Sequence, residues 1–258
     1  MESIRYISDL YIIAEKGVSA LLNIVFPPRC VVCNDYVAGR KSSNLSWLCN
    51  KCIEEVSFIS SPLCSICGIP FPEGSKGEDH PCGSCIVTPP AFDRAMSVFV
   101  YDGSIIKAIH DFKYGNKSYL FSPFGELLAE KVNYLIHHDH SPLVVPVPLS
   151  NKRLRHRGYN QSGLIAGYLA KKLNLVIDYD SLIRIRDTVP QVDLKKEERV
   201  KNLINAFAVN RPNKIKDREI ILVDDVYTTG STFEECSKAL KKAGALKVDC
   251  LSIARVEK

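Results

Sequence analysis

Two adjacent carboxylates, Asp224 and Asp225, close the apolar run "IILV" and are followed at once by "VYTTGST". An apolar run of that kind is a buried strand, and in open α/β sheets ligands sit beyond the carboxyl ends of strands. The hydroxyl-rich stretch Thr228, Thr229, Gly230, Ser231 and Thr232 then leads into a helix. Such a loop offers backbone N–H groups, hydroxyls and the positive end of the helix dipole, which together cradle a phosphate. Two carboxylates cannot share that anion, so they are placed to accept hydrogen bonds from neutral hydroxyls one sugar-width away. A phosphate cradle beside a diol clamp is a site for a ribose 5-phosphate.

Metal chemistry is written into the first third of the chain. Eight of the ten cysteines form four CxxC units: Cys30 and Cys33, Cys49 and Cys52, Cys64 and Cys67, Cys82 and Cys85. Each unit can turn two thiolates onto one ion, so two units complete a tetrahedral all-sulfur site and four units make two structural Zn2+ sites. Asn34 and Gly68 follow the first and third units, and both tolerate the left-handed backbone a metal knuckle requires. Cys30 recurs at Cys64 and Cys49 at Cys82, which reads as a duplicated ribbon with a period of 34 and then 33 residues. The duplication favours sequential pairing, Cys30, Cys33, Cys49, Cys52 on one zinc and Cys64, Cys67, Cys82, Cys85 on the other. Cross-braced pairing is the rival, and iron–sulfur ligation, whose usual spacings differ, a weaker one. Four thiolates leave no open position for water, so these sites are structural. His80 reads as a solvent-exposed loop residue, and Cys236 and Cys250 as core.

The elements that must position these groups follow from apolar spacing. An amino-terminal packing helix spans residues 1–26, a double four-cysteine ribbon residues 27–90, and an α/β domain with a parallel sheet flanked by helices residues 91–258. Strands are expected at Ser97 to Tyr101, Leu143 to Leu149, Ile220 to Val223 and Lys247 to Ile253. Helices are expected at Ile105 to Tyr114, Gly125 to His137, Gln161 to Leu173, Lys195 to Ala206 and Thr232 to Ala243. Thr232 and Glu235 have capping-box spacing, and Gly244 follows as a stop.

The 258 residues, 46% hydrophobic and 24% charged, suit one sizeable core plus a smaller module. A net charge of +5 permits phosphate-rich partners without demanding them. Asp9, Glu15 and Lys16 break the amino-terminal apolar run below spanning length, so no transmembrane segment or signal peptide is expected and a cytoplasmic location follows. In that reducing compartment clustered cysteines point to metal. In "KRLRHRG", Arg153, Arg155 and Arg157 share one face if the segment is an extended loop. Lys113 in "FKYGNK" adds a charge near the site. Tyr159 and Tyr179 are too sparse for a platform that stacks successive bases.

"ILVDDVYTTGST" closely resembles the signature with which type I phosphoribosyltransferases bind phosphoribosyl pyrophosphate (PRPP). "VVPVPLSNKRLRHRGYNQSGLIA", "RIRDTVPQVDLKKEERVKNLINAF" and the tandem cysteine module in front are similar to the competence ComF family over nearly the whole chain from "FPPRC" onward. In motif order the transferase domain of amidophosphoribosyltransferase is a further relative, but its glutaminase domain has no counterpart here. The resemblance implies a phosphoribosyltransferase-like fold in which Asp224 and Asp225 hold the PRPP ribose and Mg2+, and Thr228 to Thr232 hold the 5-phosphate. It further implies a pyrophosphate loop and mobile lid formed by Ser150, Lys152, Arg153, Arg157, Arg184, Gln191 and Arg199. Partners implied are PRPP, single-stranded DNA, the ComF helicase and other competence proteins, in DNA uptake during natural transformation. The alternative is an active phosphoribosyltransferase with an unidentified acceptor in nucleotide metabolism. No residue stands out as a general base.

Overall fold

The computed structural model describes residues 26–37, 45–72, 74–132, 141–186 and 204–257, and the chain divides into two compact units, Met1–Glu55 and Val56–Lys258. The expected amino-terminal helix and most of the helix from Lys195 to Ala206 lie outside the described residues. In the first unit a knuckle carries Cys30 and Cys33, and helix α1 (Asn50–Glu54) starts directly from Cys49. In the second unit the same design recurs, with helix α2 (Gly83–Val87) starting from Cys82.

The repeat holds bond for bond. Asn34 N–H donates to the Cys30 carbonyl at 2.9 Å and Gly68 N–H to the Cys64 carbonyl at 2.8 Å. Cys30 N–H reaches Asp35 and Cys64 N–H reaches Ile69, both at 2.8 Å. Asn34 (φ 64°) and Gly68 (φ 70°) take the left-handed backbone that the sharp return of the chain imposes. At Gly68 a second constraint applies, because a Cβ there would stand 2.4 Å from the Ala95 carbonyl oxygen.

The rest of the second unit is a parallel sheet with helices. In chain order come β1 (Arg94–Val100), α3 (Gly103–Tyr114), a 3-10 turn at Ser118–Leu120, α4 (Phe121–Val132), β2 (Leu143–Pro146), α5 (Asn151–Arg157), α6 (Gln161–Lys172) and β3 (Val176–Ile177). Then follow β4 (Leu182–Arg184), β5 (Phe207–Val209), α7 (Pro212–Ile215), β6 (Glu219–Tyr227), α8 (Ser231–Lys242) and β7 (Lys247–Arg255). The sheet order is β1-β7-β6-β2-β3, every pair parallel, and β4 and β5 form a separate antiparallel pair.

Residue alternation along the strands explains why both faces are covered. Val145, Leu222, Val248 and Cys250 join Phe233, Cys236 and Leu240 of α8 in one core cluster. Their sequence neighbours Val144, Ile221, Val223 and Leu251 lie outside that cluster and are equally buried. α6 packs on β2 and β6, and α4 on α6, β1 and β7. In α3, Ile105, Ala108, Ile109 and Phe112 fall on one stripe and are wholly buried, so Phe112→Ala should cost about 3–5 kcal/mol.

Four expectations need correction. The strand expected at Leu143 to Leu149 stops at Pro146, where its pairing with β6 ends. β6 does not stop at Val223 but runs to Tyr227, because its partner β7 continues alongside it to Arg255. The segment 151–157 is helix α5 and not an extended loop, with Ser150 as its N-cap and the left-handed Gly158 as its stop. α8 starts from Gly230 (φ 82°), with no side-chain cap, so Thr232 and Glu235 form no capping box. Glu235 instead accepts from Asn205 N–H (2.9 Å) and Lys238 (2.8 Å). Gly244 does follow α8 in a left-handed conformation (φ 92°).

The topology fixes where a ligand can enter. β2 leads outward to β3, whereas β6 leads the opposite way to β7, so the chain diverges between neighbouring strands β2 and β6. β2 pairs with β6 only as far as Pro146 opposite Val223, while β6 stays paired with β7 through Asp224, Val226 and Tyr227. A crevice at such a switch point is the usual ligand position in open α/β sheets.

Candidate functional site

A cleft of about 380 Å³ occupies that switch point. Asp224 and Asp225 line it from β6, Thr228 from the loop that follows, Thr232 from the start of α8, Arg153 and Arg157 from α5, Arg184 from β4, and Lys113 from α3. Groups separated by more than a hundred residues therefore meet because α3, α5, β4 and β6 end, and α8 begins, at this crevice.

The two carboxylates are held differently. Asp225 forms an ion pair with Lys113, Oδ1 to Nζ 2.8 Å. Asp224 Oδ1 accepts from the Ser162 hydroxyl (2.8 Å) and from Asp225 N–H (2.9 Å). Burial and the neighbouring Asp225 charge push Asp224 up from the usual 3.8 to about 7, against the pull of the Asp225 N–H, Ser162 and Lys113. For Lys113, burial favours loss of the proton, but Asp225 and Asp224 outweigh it and raise the ammonium above its ordinary value.

The guanidinium wall follows from helix geometry. Arg153 and Arg157 are four residues apart in α5 and share a face, whereas Arg155 and Lys152 are exposed and do not line the cleft. Arg157 is oriented by Gln161 Oε1 (2.8 Å) and the Tyr114 hydroxyl (2.7 Å). Arg153 Nη2 is buried without a hydrogen-bond partner, and burial together with the Arg157 charge lowers its pKa. An anion entering here would satisfy that donor. Ser150 does not face the cleft: it is buried, and its oxygen accepts from Arg153 N–H at 3.4 Å. Gln191 and Arg199 lie outside the described residues.

The hydroxyl loop divides between two sides. Thr228 and Thr232 face the carboxylate cleft, while Thr229, Gly230 and Ser231 border a second cleft of about 390 Å³ that also touches Cys67. The Thr229 and Ser231 hydroxyls bond each other at 2.7 Å. Ser162 and the tyrosines Tyr101 and Tyr114, which also line the carboxylate cleft, were not among the expected site residues. Tyr101 had a legible signal, since it follows β1 directly and so sits at the carboxyl end of a strand.

The eight cysteines group as the sequential pairing requires. Cys30, Cys33, Cys49 and Cys52 bring their sulfurs within 4.8 Å of one another, and so do Cys64, Cys67, Cys82 and Cys85. The Cys33–Cys49 and Cys67–Cys82 sulfur separations, 3.4 and 3.9 Å, bracket the roughly 3.8 Å edge of a tetrahedral zinc–sulfur site. Burial raises the Cys64 thiol, but N–H donors from Cys67, Cys82 and Ile66 outweigh it and bring it to about 6; similar donors from Cys33, Cys49 and Val32 hold Cys30 at about 7. Cys64 and Cys30 so poised give up their protons readily to a metal, whereas burial and the neighbouring sulfurs raise Cys67 and Cys85, whose protons the metal must displace. Two structural zinc sites fit this donor set. His80 stays outside the second cluster, exposed and stacked on Phe71 at 4.4 Å. Cys236 and Cys250 are fully buried, which raises both thiols.

Among the described residues no helix is long and apolar enough to cross a membrane. Residues 21–86 match the family model described as double zinc ribbon domain, and residues 160–257 the phosphoribosyl transferase domain. The chain is 33% identical to the DNA utilization protein YhgH of Salmonella typhi over 81% of its own length and 90% of that protein. It is 32% identical to Competence protein F of Haemophilus influenzae, over 88% and 96% respectively. It is 26% identical to Competence protein ComFC of Bacillus subtilis, over 81% and 84%. With a zinc ribbon ahead of a phosphoribosyltransferase-like domain, and relatives aligned over nearly their whole length, the chain belongs to the competence protein F (ComF) family.

Proposed function

We propose that this protein binds PRPP with Mg2+ in the cleft between β2 and β6, and that this binding serves the handling of incoming single-stranded DNA in natural transformation. The observation that carries the first part is the convergence of Asp224, Asp225, Thr228, Thr232, Arg153, Arg157 and Arg184 on one cleft. The names of the relatives, which speak of competence and DNA utilization, support the second.

Each group has a role its chemistry suits. Asp224 and Asp225 accept hydrogen bonds from the ribose hydroxyls, Thr228, Thr232 and the first N–H groups of α8 receive the 5-phosphate, and Arg153 and Arg157 present guanidinium forks to the pyrophosphate. The cleft also fits a hard divalent ion, because the adjacent carboxylates Asp224 and Asp225 both line it and offer oxygen donors, one of them engaged by the Lys113 ammonium. When bound, Mg2+ supplies further neutralisation of pyrophosphate charge.

A second reading, phosphoribosyl transfer to an acceptor, is favoured by the match of residues 160–257 to the transferase domain. In it the arginines stabilise the departing pyrophosphate while the carboxylates steady a ribosyl centre that gains positive charge. One experiment separates the two. Calorimetric titration of PRPP and Mg2+ into the zinc-loaded protein is followed by an assay of released pyrophosphate with and without single-stranded DNA. Binding without release supports PRPP as a regulatory ligand; release stimulated by DNA supports a working transferase; no binding overturns both.

A further inference from the structure

Arg255, the last residue of β7, is 2% exposed. Among the described residues no carboxylate forms an ion pair with it. Its Nη1 donates to the Cys67 carbonyl, its Nε has no partner, and its Cζ lies 4.6 Å from the centroid of the Tyr227 ring. A buried cation without a counter-charge is costly. The counter-charge is at hand in the second cysteine cluster, where four thiolates around one Zn2+ carry a net double negative charge. The structure thus places a guanidinium against the backbone of a ligand to that site.

Arg255 faces the hydroxyl loop on its other side. Tyr227 is buried, and its ring lies 5.7 Å from Phe233 in the first turn of α8. A Cβ on Gly230 would stand 2.5 Å from the Tyr227 hydroxyl, so the loop backbone lies directly against this ring. Between the cysteine cluster and the loop is the cleft of about 390 Å³, and Arg255 and Tyr227 span it.

We infer that Arg255 couples the metal state of the second cysteine cluster to the geometry of the Gly230 loop. With zinc bound, the tetrathiolate holds the guanidinium, the guanidinium holds the Tyr227 ring, and the ring backs the loop. Without metal the knuckle that presents the Cys67 carbonyl is no longer held, the guanidinium loses that anchor, and the loop loses its backing. Arg255 is a positioning residue in this scheme. Its consequence for ligand affinity rests on the phosphate reading of the loop, while its structural consequence does not.

Hydrogen exchange on the full-length protein tests the coupling. Removing zinc from wild type with a chelator should speed exchange at Thr228 to Thr232 at least fivefold, while Leu127 and Leu128 of α4 keep their protection. Arg255→Met should do the same with both zinc ions retained, and Arg255→Lys should lie between. Unchanged exchange at the loop in the zinc-free wild type, or in a zinc-loaded Arg255→Met, would overturn the inference. Should Arg255→Met fail to fold, reciprocity in the wild type decides. Saturating PRPP with Mg2+ should slow zinc release from the cluster at Cys64 to Cys85 at least threefold, and an equal rate in a protein that binds PRPP counts against the coupling. If PRPP does not bind at all, the reading of the cleft fails and the exchange experiment on wild type alone decides the coupling.

Discussion

Lys113 Nζ lies 2.8 Å from Asp225 Oδ1, joining the last turn of α3 to β6 with side chains only 21% and 12% exposed. The pair brings a positive charge beside two adjacent carboxylates that would otherwise repel each other in a half-enclosed cleft. Removing the lysine leaves that repulsion uncompensated. Lys113→Met should destabilise the protein by about 2 kcal/mol in urea titrations at pH 7, and Lys113→Met with Asp225→Asn should lose clearly less than the two single variants added together.

Asp224 sets a pH dependence whose sign follows from its raised pKa. Between the usual 3.8 and about 7 the folded protein holds a proton that the unfolded chain has released. Its contribution to stability is therefore fully present below about 4 and is lost as pH rises toward 7, by on the order of 2 kcal/mol once its partial exposure is allowed for. Asp224→Asn should flatten this part of the stability profile. A slope between pH 4 and 7 that is the same in both proteins would contradict the assignment. Because the ionised form is the one that accepts ribose hydroxyls, PRPP affinity in the wild type should rise from pH 6 to 8.

The helical form of residues 151–157 separates arginines that an extended segment would group together. Arg153 and Arg157 line the cleft and Arg155 does not. Arg153→Ala or Arg157→Ala should weaken pyrophosphate binding at least tenfold, the scale of a charge-assisted hydrogen bond, while Arg155→Ala should change it less than twofold. Calorimetry with pyrophosphate and Mg2+ reads all three.

Metal analysis checks the sequential cysteine sets. Wild type should carry two zinc ions per chain, and Cys52→Ser and Cys85→Ser should each lose one, because each removes a ligand from a different cluster. Stripping both should expose the cysteine segments to protease, since each site supplies on the order of 10 kcal/mol of folding free energy.

What could be read from the sequence was what local chemistry determines. Asn34 and Gly68 announced the knuckles through their backbone tolerance, and "IILV" announced a buried strand. What escaped depended on partners distant in the chain. The length of β6 is set by β7 beside it, and Glu235, at capping-box spacing from Thr232, is taken by Asn205 and Lys238. Helix α5 has no apolar periodicity to betray it, yet its boundaries were written in Ser150 and Gly158. Lys113 was legible as a charge near the site, but its ion pair with Asp225 exists only because α3 ends where β6 passes the end of β2.

The most direct measurement is the affinity of PRPP with Mg2+ for wild type, Asp224→Ala and Asp225→Ala, determined calorimetrically on folded, zinc-loaded protein. Wild type should bind saturably one-to-one, and each variant should lose at least a hundredfold in affinity. Wild-type affinity in both variants would contradict the assignment of this cleft.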